Sequence, residues 1–440
     1  MDWCLEDPRL DMRAEVCFRA LEVAPHLSFP NIFRDPSQQV GFYRFINNPR
    51  VDFRDLMAAI ESQSLTNTNK KDLVLAIHDT TQVKINHKSE LIQEFRKKEG
   101  RSFSGFFAHV SLLVTPDAKS SEVFGPCGLT LWTRGEGVKE APRWFNHAQH
   151  VESLRSVKTT VHLMDREGDA YDIIGNLVES DYRFVVRLAH DRLIEDDEAH
   201  RLFEFMSTKD IICEREVELT RRTASIFKKA AQINPAREYR TAKLSVTASE
   251  VKFKKGSWAS KALPSTITVN VIRVFEQNPP EGEKPVQWFL VTSEPITTPA
   301  EILTVIDYYR KRWLIEEFFK ALKSGCNLEE RLLESADAWH NVFVLFLPIA
   351  AKLLNLREIG STPLKGSKIF SPHELAVLKI QSKRTKLPLK TLDDAKMIIA
   401  RIGGYSKGKW PPGWIVLGRG YDQLRSWAEG YGYASNQNLC

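Results

Sequence analysis

Four residues with chemistry to offer recur along the stretch 298–325: Tyr309, Arg312, Glu316 and Lys323. At 100° per residue on a helix they fall within an arc of roughly 60°. One face would then present a phenol, a guanidinium, a carboxylate and an ammonium in a row, with Lys320 near the same stripe. Glu317 is turned about 100° from Glu316 and belongs to a different face. A charged stripe is more often a solvated face with i,i+4 pairs such as Arg312–Glu316. Two aspartates far upstream, Asp79 and Asp165, change that balance.

The stretch 298–325 reads as one long helix. Thr298 is an N-cap, Pro299 occupies the first helical position, Glu301 closes a capping box, and Gly325 is the stop. Upstream, the apolar run 73–77 reads as a buried strand ending at Asp79. Residues 103–114 and 123–132 read as two more strands, with turn residues Asp117, Ser120 and Ser121 between them and a polar stretch, 84–101, before them. A helix follows over 144–157. Strand 160–164 ends at Asp165, a helix starts near Gly168, and YRFVVRL at 182–188 is a further strand carrying Arg183 and Arg187.

Three strands, helix, strand, helix, strand is the order of the ribonuclease-H-like core. In that α/β core the first and fourth strands lie side by side, and a carboxylate from a late helix completes the site. Either aspartate alone has an ordinary explanation, Asp79 as a turn residue and Asp165 as an N-cap. Both together, with an acid-bearing helix downstream, form a pattern.

Residues 1–70 read as helical, with Arg9, Arg13, Arg19, Arg34, Arg44, Arg50 and Arg54 interleaved with Phe18, Phe42, Tyr43 and Phe45. Such a module can track phosphates and stack on bases, or it can be an ordinary helical domain with a basic exterior. Between about 192 and 290 the pattern changes to period two, with strands expected over 215–220, 243–253 and 266–275. This segment is basic (Arg221, Arg222, Lys228, Lys229, Arg237, Arg240, Lys252, Lys254, Lys255, Lys261) and is expected to be an antiparallel β insertion in the core. Trp288 stands at the mouth of the next strand. Residues 336–358 read as a buried helix, and the basic tail from 372 as helices around an aromatic-rich turn, a docking or oligomer element. The expected domains are 1–70, helical; 71–335, the α/β core with the β insertion; and 336–440, helical; the resemblance given below makes them DNA-binding, catalytic, and for dimerisation or DNA contact.

The chain has 440 residues and a formal net charge of +6, a mild basic excess that favours a polyanion partner. Its six cysteines are scattered with no C-x-x-C, which reads as reduced thiols in the cytoplasm. His147 and His150 have no cysteine near them in sequence and read as part of a surface helix, not a zinc site. The N-terminus, MDWCLEDPRL, is polar and acidic, unlike a signal peptide, and no membrane span is expected.

The segments HDTTQ and MDREGD and the helix pattern Y-x-x-R-x-x-x-E-x-x-x-x-x-x-K resemble those of bacterial cut-and-paste DDE transposases with the Y-R-E-K signature. DPRL, GFYRFINNP, YRFVVR, WFLVTSEP and MIIARIGGY extend the resemblance over nearly the whole chain. It implies a catalytic, metal-binding triad of Asp79, Asp165 and Glu316 holding two Mg2+ ions, with Mn2+ able to substitute and Asp79 bridging. It further implies that Tyr309, Arg312 and Lys323 grip phosphates, that Arg183 and Arg187 add phosphate contacts, and that Arg166 and Glu167 orient Asp165. Trp288 would stack on a base flipped out when the DNA end is forced into a hairpin; without the resemblance it reads as a core tryptophan. The implied partners are double-stranded DNA (terminal inverted repeats and target) and a second copy of the chain in a nucleoid-associated synaptic complex. The rival readings are a transposase relic or regulator that binds ends without cutting, and another ribonuclease-H-like nuclease.

Overall fold

The structure is a computed structural model. It describes the chain except for residues 86–103, 134–139, 156–158, 198, 220–224, 228–231, 235–236, 359–362, 365–368, 407–410 and 438–440. Most of the polar stretch 84–101, and Arg221, Arg222, Lys228 and Lys229 of the basic insertion, lie outside the described residues.

Four helices open the chain: α1 (Pro8–Val23), α2 (Phe29–Ile32), α3 (Pro36–Ile46) and α4 (Phe53–Asn67). Asp7 and Asp35 each cap a helix whose first residue is proline, their carboxylates accepting from Arg9 N and Ser37 N at 3.0 and 2.7 Å. Then come β1 (Leu73–Lys84), β2 (Gly105–Val114), β3 (Val123–Trp132), α5 (Pro142–Leu154), β4 (Thr159–Met164), α6 (Tyr171–Glu179) and β5 (Arg183–Arg187). This is the expected order. A short α7 (Leu202–Ser207) leads to β6 (Cys213–Leu219), β7 (Ser225–Phe227), β8 (Gln232–Asn234), β9 (Arg240–Lys254), β10 (Thr266–Glu276) and β11 (Gln287–Thr292). Among the described residues, six helices close the chain: α8 (Pro299–Arg310), α9 (Trp313–Lys320), α10 (Ala336–Glu358), α11 (Pro372–Thr385), α12 (Leu392–Ile402) and α13 (Trp414–Gln437).

The chain divides into two compact units, one of residues 1–139, 149–159 and 313–440, the other of 140–148 and 160–312. In the first unit the strands run β3-β2-β1, antiparallel throughout. Helix α10 packs on β3, α4 and α1, and fifteen of its residues are buried, Trp339 and Phe343 among them. It is long and apolar enough to cross a membrane by composition, but 78% of its apolar window is buried inside the fold, as expected for a core helix.

In the second unit β4 and β5 are parallel, as a crossover through α6 requires. From β5 the sheet continues antiparallel through β11, β10, β9 and β6. The antiparallel expectation for these strands holds, and they extend the β4–β5 sheet because β11 bonds β5 on one edge and β10 on the other. The core beneath includes Ile174, Leu177, Phe184, Val186, Phe253 and Val271, all buried.

Two sequence expectations are corrected. Strand β1 does not stop at Asp79: it stays paired with β2 through Lys84↔Gly105, so Asp79 sits mid-strand opposite Val110. The long helix is also not continuous. The capping box at Thr298 and Glu301 is present, but α8 ends at Arg310, and the next two turns close by tighter i→i−3 bonds, Lys311 N to Tyr308 O and Arg312 N to Tyr309 O, both 3.0 Å. After α9 the backbone widens into a π-helical turn, Ala321–Gly325, closed by Cys326 N to Ala321 O at 2.8 Å. The helix that carries Glu316 is thus eight residues long, overwound before and underwound after.

Candidate functional site

In the second unit, Asp165 follows the last residue of β4 and is half-buried. Its carboxylate accepts from Glu167 N at 2.8 Å and caps the 3-10 turn Arg166–Gly168. The ordinary N-cap explanation is therefore correct as far as it goes, and it fixes the side chain at the strand end. Arg166 and Glu167 themselves are exposed.

The same unit sets Arg187 and Tyr309 side by side. Arg187, at the end of β5, lies against Tyr309, and burial pulls its guanidinium below the usual range; Arg166 and Arg312 add to that repulsion. Tyr309 is buried, and burial pushes its phenol up, opposed by Arg187 and Arg312 and reinforced by Asp165. Its hydroxyl makes no hydrogen bond of good geometry among the described residues. Trp288, half-buried on β11, meets the Tyr309 ring edge-on with centroids 6.0 Å apart. Arg187 thus has two further guanidiniums, Arg166 and Arg312, within electrostatic range, an arrangement suited to an anion such as a phosphate.

Arg183 stands apart from this group. It holds Glu294 in a two-pronged ion pair, Nε to Oε1 at 2.7 Å, with Glu294 buried. Sequence reading also missed Asp169, four residues after Asp165. It is buried and accepts from Ala189 N at 2.6 Å, His190 N at 2.9 Å and the Arg192 guanidinium, which pins the chain just beyond β5. The signal for it in sequence is the last acid of MDREGD.

In the first unit, Asp79 is half-buried, with its carboxylate accepting from Thr80 N at 2.7 Å. Its strand neighbours form polar contacts across β1 and β2: His78 Nδ1 to Ser111 Oγ at 2.9 Å, and Thr80 Oγ1 to His109 Nδ1 at 2.8 Å. Helix α9 packs against β1 and holds Glu316 half-buried. Lys323, on the π-helical turn, donates to Gln82 O, three residues beyond Asp79 on the same strand, and lies 3.7 Å from Glu329. Burial lowers the ammonium's pKa, with Glu329 opposing. Glu329, which also accepts from Lys84 N at 3.0 Å, was not visible in the sequence pattern.

Asp79, Asp165 and Glu316 each offer carboxylate oxygens at a half-exposed position, a ligand type that suits a hard divalent cation. The five cysteines among the described residues are free.

The N-terminal helices separate their two residue types. All seven arginines, from Arg9 to Arg54, are exposed, while Phe18, Phe42 and Phe45 are buried in the core and Tyr43 is half-buried. Three of the aromatics expected as stacking platforms are therefore packing residues. Arg9, Arg13 and Arg44 line a groove of about 630 Å³.

Residues 142–347 match the family model described as the transposase DDE domain, which supports a DDE transposase, a DNA-cleaving and strand-transferring enzyme. Such domains generally use divalent metal ions. A solved chain described as the piggyBac transposase synaptic complex with hairpin DNA aligns over 91% of this chain and 77% of its own, at 11% identity and a TM-score of 0.35, a likeness too distant to argue from.

Proposed function

We propose that the chain carrying this transposase DDE domain is a cut-and-paste transposase of the Y-R-E-K signature, with a ribonuclease-H-like core. It binds the terminal inverted repeats of its element as a homodimer. It nicks the end, forms and resolves a hairpin, and joins the 3′ ends to target DNA. The observation that supports the proposal is the pairing of Arg187 with Tyr309, with Arg166 and Arg312 within electrostatic range of Arg187 and Asp165 within that of Tyr309, in a segment that matches the DDE domain.

The proposal requires Asp79 and Glu316 of one unit and Asp165 of the other to serve the same pair of divalent ions. When bound, those ions would activate the attacking water or 3′ hydroxyl and neutralise the leaving oxygen. Arg187, Arg312 and the Tyr309 hydroxyl hold the scissile phosphate and its neighbours in line for attack, with Lys323 gripping the backbone beside Asp79. Trp288 offers its face to the base that must leave the stack for a hairpin to close. Arg183, engaged with Glu294, shapes the end of β5 beside this surface and adds a phosphate contact at its exposed edge.

The test is a cleavage assay on DNA bearing the element's own ends, with Mg2+ or Mn2+, comparing wild type with Glu316→Ala on a denaturing gel that resolves hairpins. Nicks and a hairpin band in wild type, both absent in the variant, are expected. Trp288→Ala should keep the first nick and lose the hairpin. End binding with no cleavage by wild type under several metals would overturn the enzyme and leave a binding protein.

A further inference from the structure

The side chain next to Glu316 is firmly held. Glu317 is 7% exposed and accepts three hydrogen bonds: from Lys320 Nζ at 2.7 Å, an Arg357 guanidinium nitrogen at 2.6 Å and the Trp414 indole N–H at 3.0 Å. Arg357, on α10, also stacks over the Trp414 ring, 4.5 Å from its centroid. Trp414 is the first residue of α13, nearly a hundred residues downstream.

The same last helix closes on the π-helical turn. A side chain at Gly418 would meet Gly325 O at 2.5 Å, so the two backbones are in contact, and one at Gly325 would meet Leu353 and Trp414. Gly325 O also faces His26 Nδ1 at 3.3 Å. The turn that sets the direction of Lys323 is therefore clamped by α10, α13 and the loop after α1.

Consecutive helix residues point about 100° apart, so fixing the azimuth of one fixes the next. Helix α9 is short and flanked by irregular turns, so its rotation depends on contacts such as these. We propose that Glu317 and Trp414 are positioning residues: by pinning the inner face of α9 they set the rotation at which Glu316 is presented, and through Gly418 the last helix sets that of Lys323. The inference rests on the reading of Glu316 as a metal ligand. Groups that orient a metal ligand in this way typically change metal affinity or activity about 10–100-fold when removed.

The test uses the full chain with end DNA. Mn2+ binding is read from the loss of the free-ion paramagnetic resonance signal, alongside end binding by gel shift and single-turnover cleavage. Trp414→Phe removes the N–H and keeps a ring; Glu317→Gln keeps the shape and removes the charge; Arg357→Lys retains the charge and should largely restore function, which covers the case in which Glu317→Gln does not fold. Mn2+ affinity about ten-fold weaker or more in Trp414→Phe, with gel shift and melting temperature as in wild type, supports the inference. Mn2+ binding and cleavage as in wild type for Trp414→Phe and Glu317→Gln, with both lost in Glu316→Ala, overturns the positioning role and leaves the transposase reading intact. Mn2+ binding in wild type that Glu316→Ala does not alter overturns the metal site and this inference with it.

Discussion

At the scale of the residue, Tyr309 is a buried polar group that the fold satisfies incompletely. Its buried hydroxyl lies against the Arg187 guanidinium, short of the geometry of a well-formed hydrogen bond. Leaving such a group unsatisfied costs about 1–3 kcal/mol, so stability alone gives no reason to retain it. Tyr309→Phe should therefore keep or slightly raise the melting temperature, while single-turnover cleavage falls about ten-fold, the equivalent of one hydrogen bond to a charged phosphate. A drop in stability of more than about 1 kcal/mol would mean that the hydroxyl has a structural partner. Asp169 shows the converse: three donors and full burial make it a residue of the fold, although its sequence motif sits beside the site.

At the scale of the element, the last helix is placed by its glycines. A side chain at Gly420 would meet Ile399 O at 1.9 Å, and one at Gly403 would meet Val416 O at 2.0 Å, so α12 and α13 cross in backbone contact. Gly430, on the same helix, has nothing within 4 Å. Gly420→Ala should destabilise by about 1–3 kcal/mol, because backbone atoms have to move. Gly430→Ala should stabilise by up to about 1 kcal/mol, through helix propensity alone. Denaturant titration of the two variants checks the contrast, and equal effects would place the crossing elsewhere. If α13 holds the Glu316 helix, Gly420→Ala should also slow cleavage.

At the scale of the whole molecule, residues near the two ends of the chain meet inside the first unit. Asp422 on α13 accepts from His26 N, after α1, at 3.2 Å, and Arg331 donates to Pro25 O, Leu27 O and Cys326 O, the last at 2.7 Å. Burial pushes the Asp422 carboxyl up to about 7, against the pull of the His26 N–H and Arg331. A carboxyl with a raised native pKa binds its proton more tightly when folded. Its cost is therefore absent below the unfolded pKa near 4, grows as the pH rises, and is complete above about 7. Relative to Asp422→Asn, wild type should lose about 2–3 kcal/mol of stability between pH 5 and pH 8, measured by denaturant unfolding. A pH-independent difference would show that Asp422 is ionised throughout.

The sequence by itself determined what depends on near neighbours. The caps at Asp7, Asp35 and Thr298 are local chemistry, and the bounds of α10 follow from an apolar run too long for a strand. The order of strands and helices around Asp79 and Asp165 followed from periodicity; the acids, Tyr309 and Arg312 stood out by type and spacing, and Trp288 only through the family resemblance. Tertiary structure alone decided where β1 ends, because β2 keeps pairing with it for five residues beyond Asp79. It also decided that the long helix divides around Arg312, with no glycine or proline to announce the break. Glu317, Glu329 and Arg183 acquired their roles from partners 40, 245 and 111 residues away, and the N-terminal aromatics turned inward to fill a core. Propensity and periodicity act over a few residues, whereas ion pairs and packing join chain segments that only the folded molecule brings within hydrogen-bond reach.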